Sequence, residues 1–144
     1  MTFAECLEFV QRNSTGFLAT VEEQKPHVRP MTVWLADDTG VYFYTSLVKP
    51  LAAQLRANPQ VEIAFHQPGP PPEIGVVLRI AGRIEFVQDM KIRERLYATY
   101  DWLKQIGTGT PDCPTIVVFR IAGGRFNYWT WENNINPGPW VPFP

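Results

Sequence analysis

The sequence predicts a mainly β fold, an antiparallel sheet or barrel with helices packed outside it. Two observations carry this. Short runs rich in β-branched and aromatic residues recur along the chain with turn residues between them. The helical segments are too few, and stand in the wrong places, for repeated βαβ units. A third observation sets a problem for that fold. In "GFLATVEEQKPHVRPMTVW", Gly16 to Trp34, two strands flank a polar turn, and the second contains Arg29-Pro30. A charged residue followed by one with no amide N–H does not belong in the middle of a regular buried strand. Either this strand is an edge, or its backbone serves something other than a neighbouring strand.

The elements follow in order. Thr2-Phe3-Ala4-Glu5 has the form of a capping box, and Phe3, Cys6, Leu7 and Val10 recur at helical spacing, which predicts an amphipathic helix over residues 3–12. Gly16 opens the strand "FLATV", Pro26 closes the turn, and "HVRPMTVWL" is the second strand. "ADDTG" (Ala36 to Gly40) is a turn and "VYFYT" a third strand. In "SLVKPLAAQLRANP", Pro50 suits the first turn of a helix, Leu51 and Leu55 share a face, and Asn58-Pro59 stops it. "VEIAFH" is a fourth strand; "QPGPPPEIG" is a stiff loop; "VVLRIAGRIEFV" is a long strand whose Gly82 implies a bulge or a close backbone approach. From Asp89 a further helix carries Ile92, Leu96, Tyr100 and Leu103 on one face. "TIVVFRIAGGRFNYWTW" predicts a hairpin turning at Gly123-Gly124. The Pro-rich, aromatic tail "NINPGPWVPFP" cannot be helical, and Trp140 and Phe143 need cover from the barrel or from a second subunit.

A chain of 144 residues fits one domain, 1–144, with 45% hydrophobic, 19% charged and 13% aromatic residues, a globular composition. A formal net charge of −1 leaves no basic footprint for nucleic acid or anionic lipid. The N-terminus shows no signal-peptide pattern and no apolar run approaches membrane-spanning length, so a soluble, cytoplasmic protein is expected. Cys6 and Cys113 form no CxxC pair, and Cys6 falls on an apolar helix face, the place of an inert buried thiol.

Among chemical motifs, His27 and His66 lack a second ligand at metal-binding spacing, so no metal site is expected. No GxSxG elbow, P-loop or dinucleotide fingerprint occurs. What remains is a polar cluster near strands two and three. If these two pair through the "ADDTG" turn, Arg29, the run Tyr44-Thr45-Ser46, and Lys49 before a helix beginning at Pro50 converge. Two cations, hydroxyls and helix N-terminal amides make a phosphate site. Two solvated charges and a helix cap account for the same residues, and the pattern alone leaves both readings open.

The ordered set "GFLAT…PHVRPMTVWLADDTGVYFYTSLVKPLAAQLRANPQVEIAF…VLRIAGRIEFV", over residues 16–88, resembles the pyridoxamine 5′-phosphate oxidase-like, FMN-binding split-barrel superfamily. The short general-stress-protein-like members come nearest in length. The resemblance implies a six-stranded antiparallel split β-barrel with flanking helices, and a homodimer with FMN at the interface. It implies that Arg29-Pro30-Met31-Thr32-Val33 runs beneath the flavin with backbone turned to the ring. Arg29 and Lys49 would hold the FMN phosphate, Tyr44 and Thr45 would line the flavin or its ribityl chain, and Ser46 would assist near the phosphate. Trp129 and Trp131, two apart on one strand with Tyr128 opposite, are either packing residues or stack near the ring.

The departures from the family bear on activity. Pyridoxamine phosphate oxidases carry an Arg-Leu-His-Asp-Arg-like motif near the C-terminus, where this chain has "RFNYWTWENN"; a family glutamine stands as Val77, and Val48 replaces an Arg or Ser. Vitamin B6 oxidation is therefore not expected. The leading expectation is an FMN-dependent oxidoreductase whose substrate, electron donor (NADH, NADPH or another) and catalytic residues the sequence does not name. The alternatives are a non-catalytic flavin-binding or sensing protein, or a haem- or deazaflavin-binding relative, with His66 as the one hopeful haem ligand.

Overall fold

The capping box predicted at the N-terminus forms as expected. In the computed structural model, which describes all residues Met1–Pro144, helix α1 (Phe3–Arg12) is capped by Thr2, whose hydroxyl accepts from the Glu5 N–H while the Glu5 carboxylate accepts from the Thr2 N–H. Strands β1 (Thr15–Glu22), β2 (Lys25–Thr32), β3 (Leu35–Asp37) and β4 (Gly40–Ser46) follow, then α2 (Pro50–Ala57), β5 (Gln60–Gln67), β6 (Val76–Phe86) and α3 (Met90–Thr99). A 3₁₀ turn (Asp101–Gln105), β7 (Ile116–Trp129) and β8 (Val141–Phe143) complete the chain. One antiparallel sheet runs β2-β1-β5-β6-β7-β4-β3, with β8 on β7. Six strands are long, and β3 and β8 have 3 residues each. The sheet curls into a split barrel whose two ends, β2 and the β4–β3 pair, are not hydrogen-bonded to each other.

Three sequence expectations change. The hairpin at Gly123-Gly124 does not form; β7 is one strand of 14 residues. Both of its halves pair with β6, so neither is free to pair with the other. Glycine is needed there because the strands touch: a Cβ on Gly124 would lie 2.6 Å from the Ala81 carbonyl oxygen, and one on Gly82 would lie 2.8 Å from Ile121. The β6–β7 register shifts beside this contact, between Gly82 and Ile84, which is the bulge expected at Gly82. Second, "HVRPMTVWL" is two strands. The chain leaves β2 at Thr32, and only Leu35–Asp37 pairs with β4 across the turn, so Arg29 does not sit on a strand paired with β4. Third, the helix from Asp89 ends at Thr99. Tyr100 is extended (φ −127, ψ 90), and Leu103 reaches the core from the 3₁₀ turn instead.

The core fills the barrel and is closed by α1 and α2, around Phe43, Phe65, Phe119, Phe126, Leu55 and Ile63. A smaller cluster beneath α3 gathers Tyr42, Leu96, Tyr97, Cys113 and Val118. Strand β4 therefore has Phe43 in one core and Tyr42 in the other, which is why it reads as a nearly continuous apolar run. The tail packs on the barrel: Phe143 stacks on Phe3 with centroids 5.1 Å apart, and Trp140 lies between the guanidinium groups of Arg79 and Arg125. Cys6 is fully buried, and that burial pushes its thiol up to about 12. Burial also pushes the Cys113 thiol up, but hydroxyl and amide donors of Thr108 and Thr115 outweigh it and bring the group down to about 6. No helix is long and apolar enough to cross a membrane.

Candidate functional site

The edge position of β2 answers the problem set by Arg29-Pro30. Pro30 has no amide to offer, and β2 has a strand neighbour only in β1. Its free side borders a cavity of about 550 Å³ at the open seam, between β2, the end of β4 and the first turn of α2. Arg29, Pro30 and Met31 line it from β2, Tyr44 and Thr45 from β4, and Lys49 from the cap of α2. Six predicted site residues thus converge without the strand pairing expected to bring them together. The volume is of the size used for small molecules and cofactors.

The remaining predicted residues stand elsewhere. Thr32 is exposed and its hydroxyl lies 3.4 Å from that of Thr15. Val33 is buried in the barrel core. Ser46 follows Thr45 at the end of β4, and its hydroxyl accepts from the Val48 N–H at 3.4 Å. Trp129 lines a separate recess with Asn127 and Trp140, and Trp131 is 56% exposed beyond the end of β7 rather than on it. Within one chain, neither tryptophan reaches the seam cavity.

The electrostatics of the cavity turn on Arg29. In the β1–β2 register Leu18 faces Arg29 and Thr20 faces His27, so these four share the inner face of the hairpin. The Arg29 guanidinium donates from Nη1 to the Thr20 hydroxyl at 2.8 Å and to the Leu18 carbonyl at 3.3 Å, and from Nη2 to Oε1 of Gln54 at 2.6 Å. All three acceptors are neutral. Neither Arg29 nor Lys49 forms an ion pair with a carboxylate. Burial draws the Arg29 pKa down, yet a guanidinium remains charged at any ordinary pH. A half-buried cation fixed by neutral groups on a cavity wall has the charge and the geometry to pair with an anion.

The start of α2 contributes less than expected. Pro50 has no amide, and the Ala52 N–H donates to the Lys49 carbonyl at 3.3 Å. On the opposite wall, Tyr44 packs against Tyr100 and Trp102, with centroids 5.6 and 6.0 Å away. Burial first, and then the neighbouring Tyr100, push its phenol pKa up, so Tyr44 is a donor at neutral pH. Gln54 and Thr20, which hold Arg29, were not singled out by the sequence reading. The available signal was a glutamine between Leu51 and Leu55, on the buried face of α2.

The fold is an antiparallel split barrel with a cavity at its seam lined by two cations, Arg29 and Lys49. The sequence profile of the pyridoxamine 5′-phosphate oxidase family matches residues 2–130, and the chain belongs to that family. No curated protein matches it in sequence. Among solved structures it is similar to a NimC/NimA family protein from Clostridium acetobutylicum, with a TM-score of 0.75 and 21% identity, covering 97% of this chain and 90% of that one. It is also similar to a FAD-binding protein from Mesorhizobium loti (TM-score 0.67, 21% identity, 89% and 94% covered). A third is the heme storage protein HutZ from Vibrio cholerae (TM-score 0.66, 19% identity, 88% and 92% covered). These likenesses establish the shared fold.

Proposed function

We propose that this protein is a flavoprotein that binds FMN at the barrel seam and serves as an oxidoreductase. The observation that carries the reading is the Arg29 guanidinium, fixed by neutral partners and free of any carboxylate, with the unpaired Lys49 ammonium on the same cavity. Both would hold the phosphate. Tyr44 and Thr45 would lie along the ribityl chain, and the free edge of β2 at Pro30-Met31 would face the ring. Bound there, FMN would supply two-electron redox chemistry. The chain's part is to hold the phosphate and orient the ring, with Tyr44 kept in place on the ribityl side by its packing against Tyr100 and Trp102. The haem reading gains nothing from His66, whose Nε2 donates to the Ile74 carbonyl at 2.7 Å.

The test is equilibrium binding to the apo-protein, read by quenching of flavin fluorescence. FMN is expected to bind at least about tenfold more tightly than riboflavin, since charge-assisted contacts to the phosphate separate the two ligands. Equal affinities would overturn the phosphate assignment, and absence of binding by either would overturn the cofactor.

The chain is further proposed to act as a homodimer with FMN at the interface. The outer face of the β1–β2 hairpin supports this: Phe17 opposes Pro30 there, and Phe17 and Val28 are 57% and 67% exposed beside the cavity. A second copy would cover this apolar surface through a two-fold contact. Light scattering is expected to give about twice the chain mass of 16.5 kDa. A monomer that retains FMN would refute the interface.

A further inference from the structure

We propose that Gln54 is the positioning residue of this site. Its amide fixes the Arg29 guanidinium and separates it from the carboxylate of Glu22, which leaves the positive charge available to a phosphate. The inference rests on the reading of the seam cavity as an FMN site.

Gln54 is only 4% exposed, on the helix face that also buries Leu51 and Leu55. A polar side chain in such a place requires partners for all its polar atoms. Its Oε1 accepts from two donors, Arg29 Nη2 at 2.6 Å and the Thr20 hydroxyl at 2.8 Å. Thr20, 1% exposed, in turn accepts from Arg29 Nη1. The side chains of Thr20 (β1), Gln54 (α2) and Arg29 (β2) therefore close a hydrogen-bonded ring of which the guanidinium is one member. The two donors on Oε1 allow one orientation of the amide, since the reversed one would aim an NH₂ group at a cation. That orientation points Nε2 the other way, toward Oε2 of Glu22 at 3.5 Å. The same carboxylate oxygen stands 3.6 Å from Nε2 of His27.

Glu22 is thus one amide away from Arg29, its carboxylate facing the Gln54 Nε2. Contact between the two would join opposite charges in a half-buried site, where attraction is strong, and the arginine would be neutralised before any ligand arrived. Glutamate in place of Gln54 would offer the same shape and the same acceptors, with a charge added. Glutamine gives the geometry without the charge.

The experiment measures FMN and riboflavin binding to apo-protein by fluorescence quenching, with thermal unfolding of each apo-variant as the check on folding. Gln54→Glu is expected to fold, because Thr20 and Arg29 keep their acceptor. It is expected to lose about tenfold to a hundredfold in FMN affinity with riboflavin affinity unchanged, the effect of cancelling a charge-assisted contact. Gln54→Ala is expected to lose FMN affinity as Glu22 gains access to Arg29, and Glu22→Gln added to it is expected to restore most of the loss. Parental FMN preference in Gln54→Glu would overturn the proposal. Failure of Glu22→Gln to rescue Gln54→Ala would overturn the separating role. A parent protein that binds FMN no better than riboflavin would instead overturn the function on which the proposal rests.

Discussion

Arg29→Ala is expected to weaken FMN binding by about 1.5–3 kcal/mol, or about tenfold to a hundredfold in Kd, with little change in riboflavin binding. Two contributions act together. The guanidinium can grip two phosphate oxygens at once, and its ring of partners fixes it before the ligand arrives, so little side-chain freedom remains to be lost on binding. The fold should survive the change, because the Thr20 hydroxyl still donates to Gln54 when Arg29 is gone. Lys49→Ala is expected to have the smaller effect of the two. Its ammonium is an exposed point charge with no side-chain hydrogen bond at the α2 cap, and a flexible stem must be ordered to use it. Arg56→Ala is the control: it lies on the same helix but its guanidinium is over the ring of Phe86, away from the seam cavity. Titration of apo-protein with FMN reads all three. Parental affinity in both Arg29→Ala and Lys49→Ala would make the cluster ordinary surface charge and remove the phosphate from this cavity.

The fold class and six of the residues lining the seam cavity were legible from residue types, whereas the strand and helix boundaries were only partly so. Arg29-Pro30 left two possibilities, an edge strand or a backbone given over to something other than a strand, and β2 is an edge, where a residue without an N–H and a long cation tolerate a missing neighbour. The strand count was misread at Gly123-Gly124 for a definite reason. A Gly-Gly pair between two apolar runs is a hairpin signal, but glycine also serves where two backbones touch, and only the pairing of both halves with β6 separates the cases. That pairing is non-local and leaves no trace in a short window. The end of α3 was hidden in the same way. Tyr100 and Leu103 continue the apolar spacing, and the change to a 3₁₀ turn preserves the burial of Leu103 that the spacing records. Gln54 was passed over because glutamine is a good helix former anywhere on a helix. Its meaning depends on Thr20 and Arg29, which are distant in sequence and meet it only when β1, β2 and α2 pack.

The single β7 strand has a mechanical consequence for stability. Phe119 lies in its first half, opposite Phe43 of β4 and Phe86 of β6, fully buried and stacked on Phe43 with centroids 5.3 Å apart and planes 19° from parallel. Phe119→Ala is expected to destabilise the protein by about 3–5 kcal/mol, from the lost transfer of a large ring out of water plus the cavity left between two rigid strands. The damage reaches the seam, since β4 carries Tyr44 and Thr45 near its end and has its long neighbour only in β7. Urea unfolding should therefore show a lower midpoint at unchanged slope, with tryptophan fluorescence and far-ultraviolet circular dichroism moving together. Ile135→Ala, at a side chain 98% exposed, should stay within about 0.5 kcal/mol of the parent and serves as the reference. A loss below about 1 kcal/mol at Phe119 would mean that the barrel collapses around the void and is not rigid there. Two separated transitions would mean that β4 and β6 unfold independently, and that β7 does not couple the seam to the core.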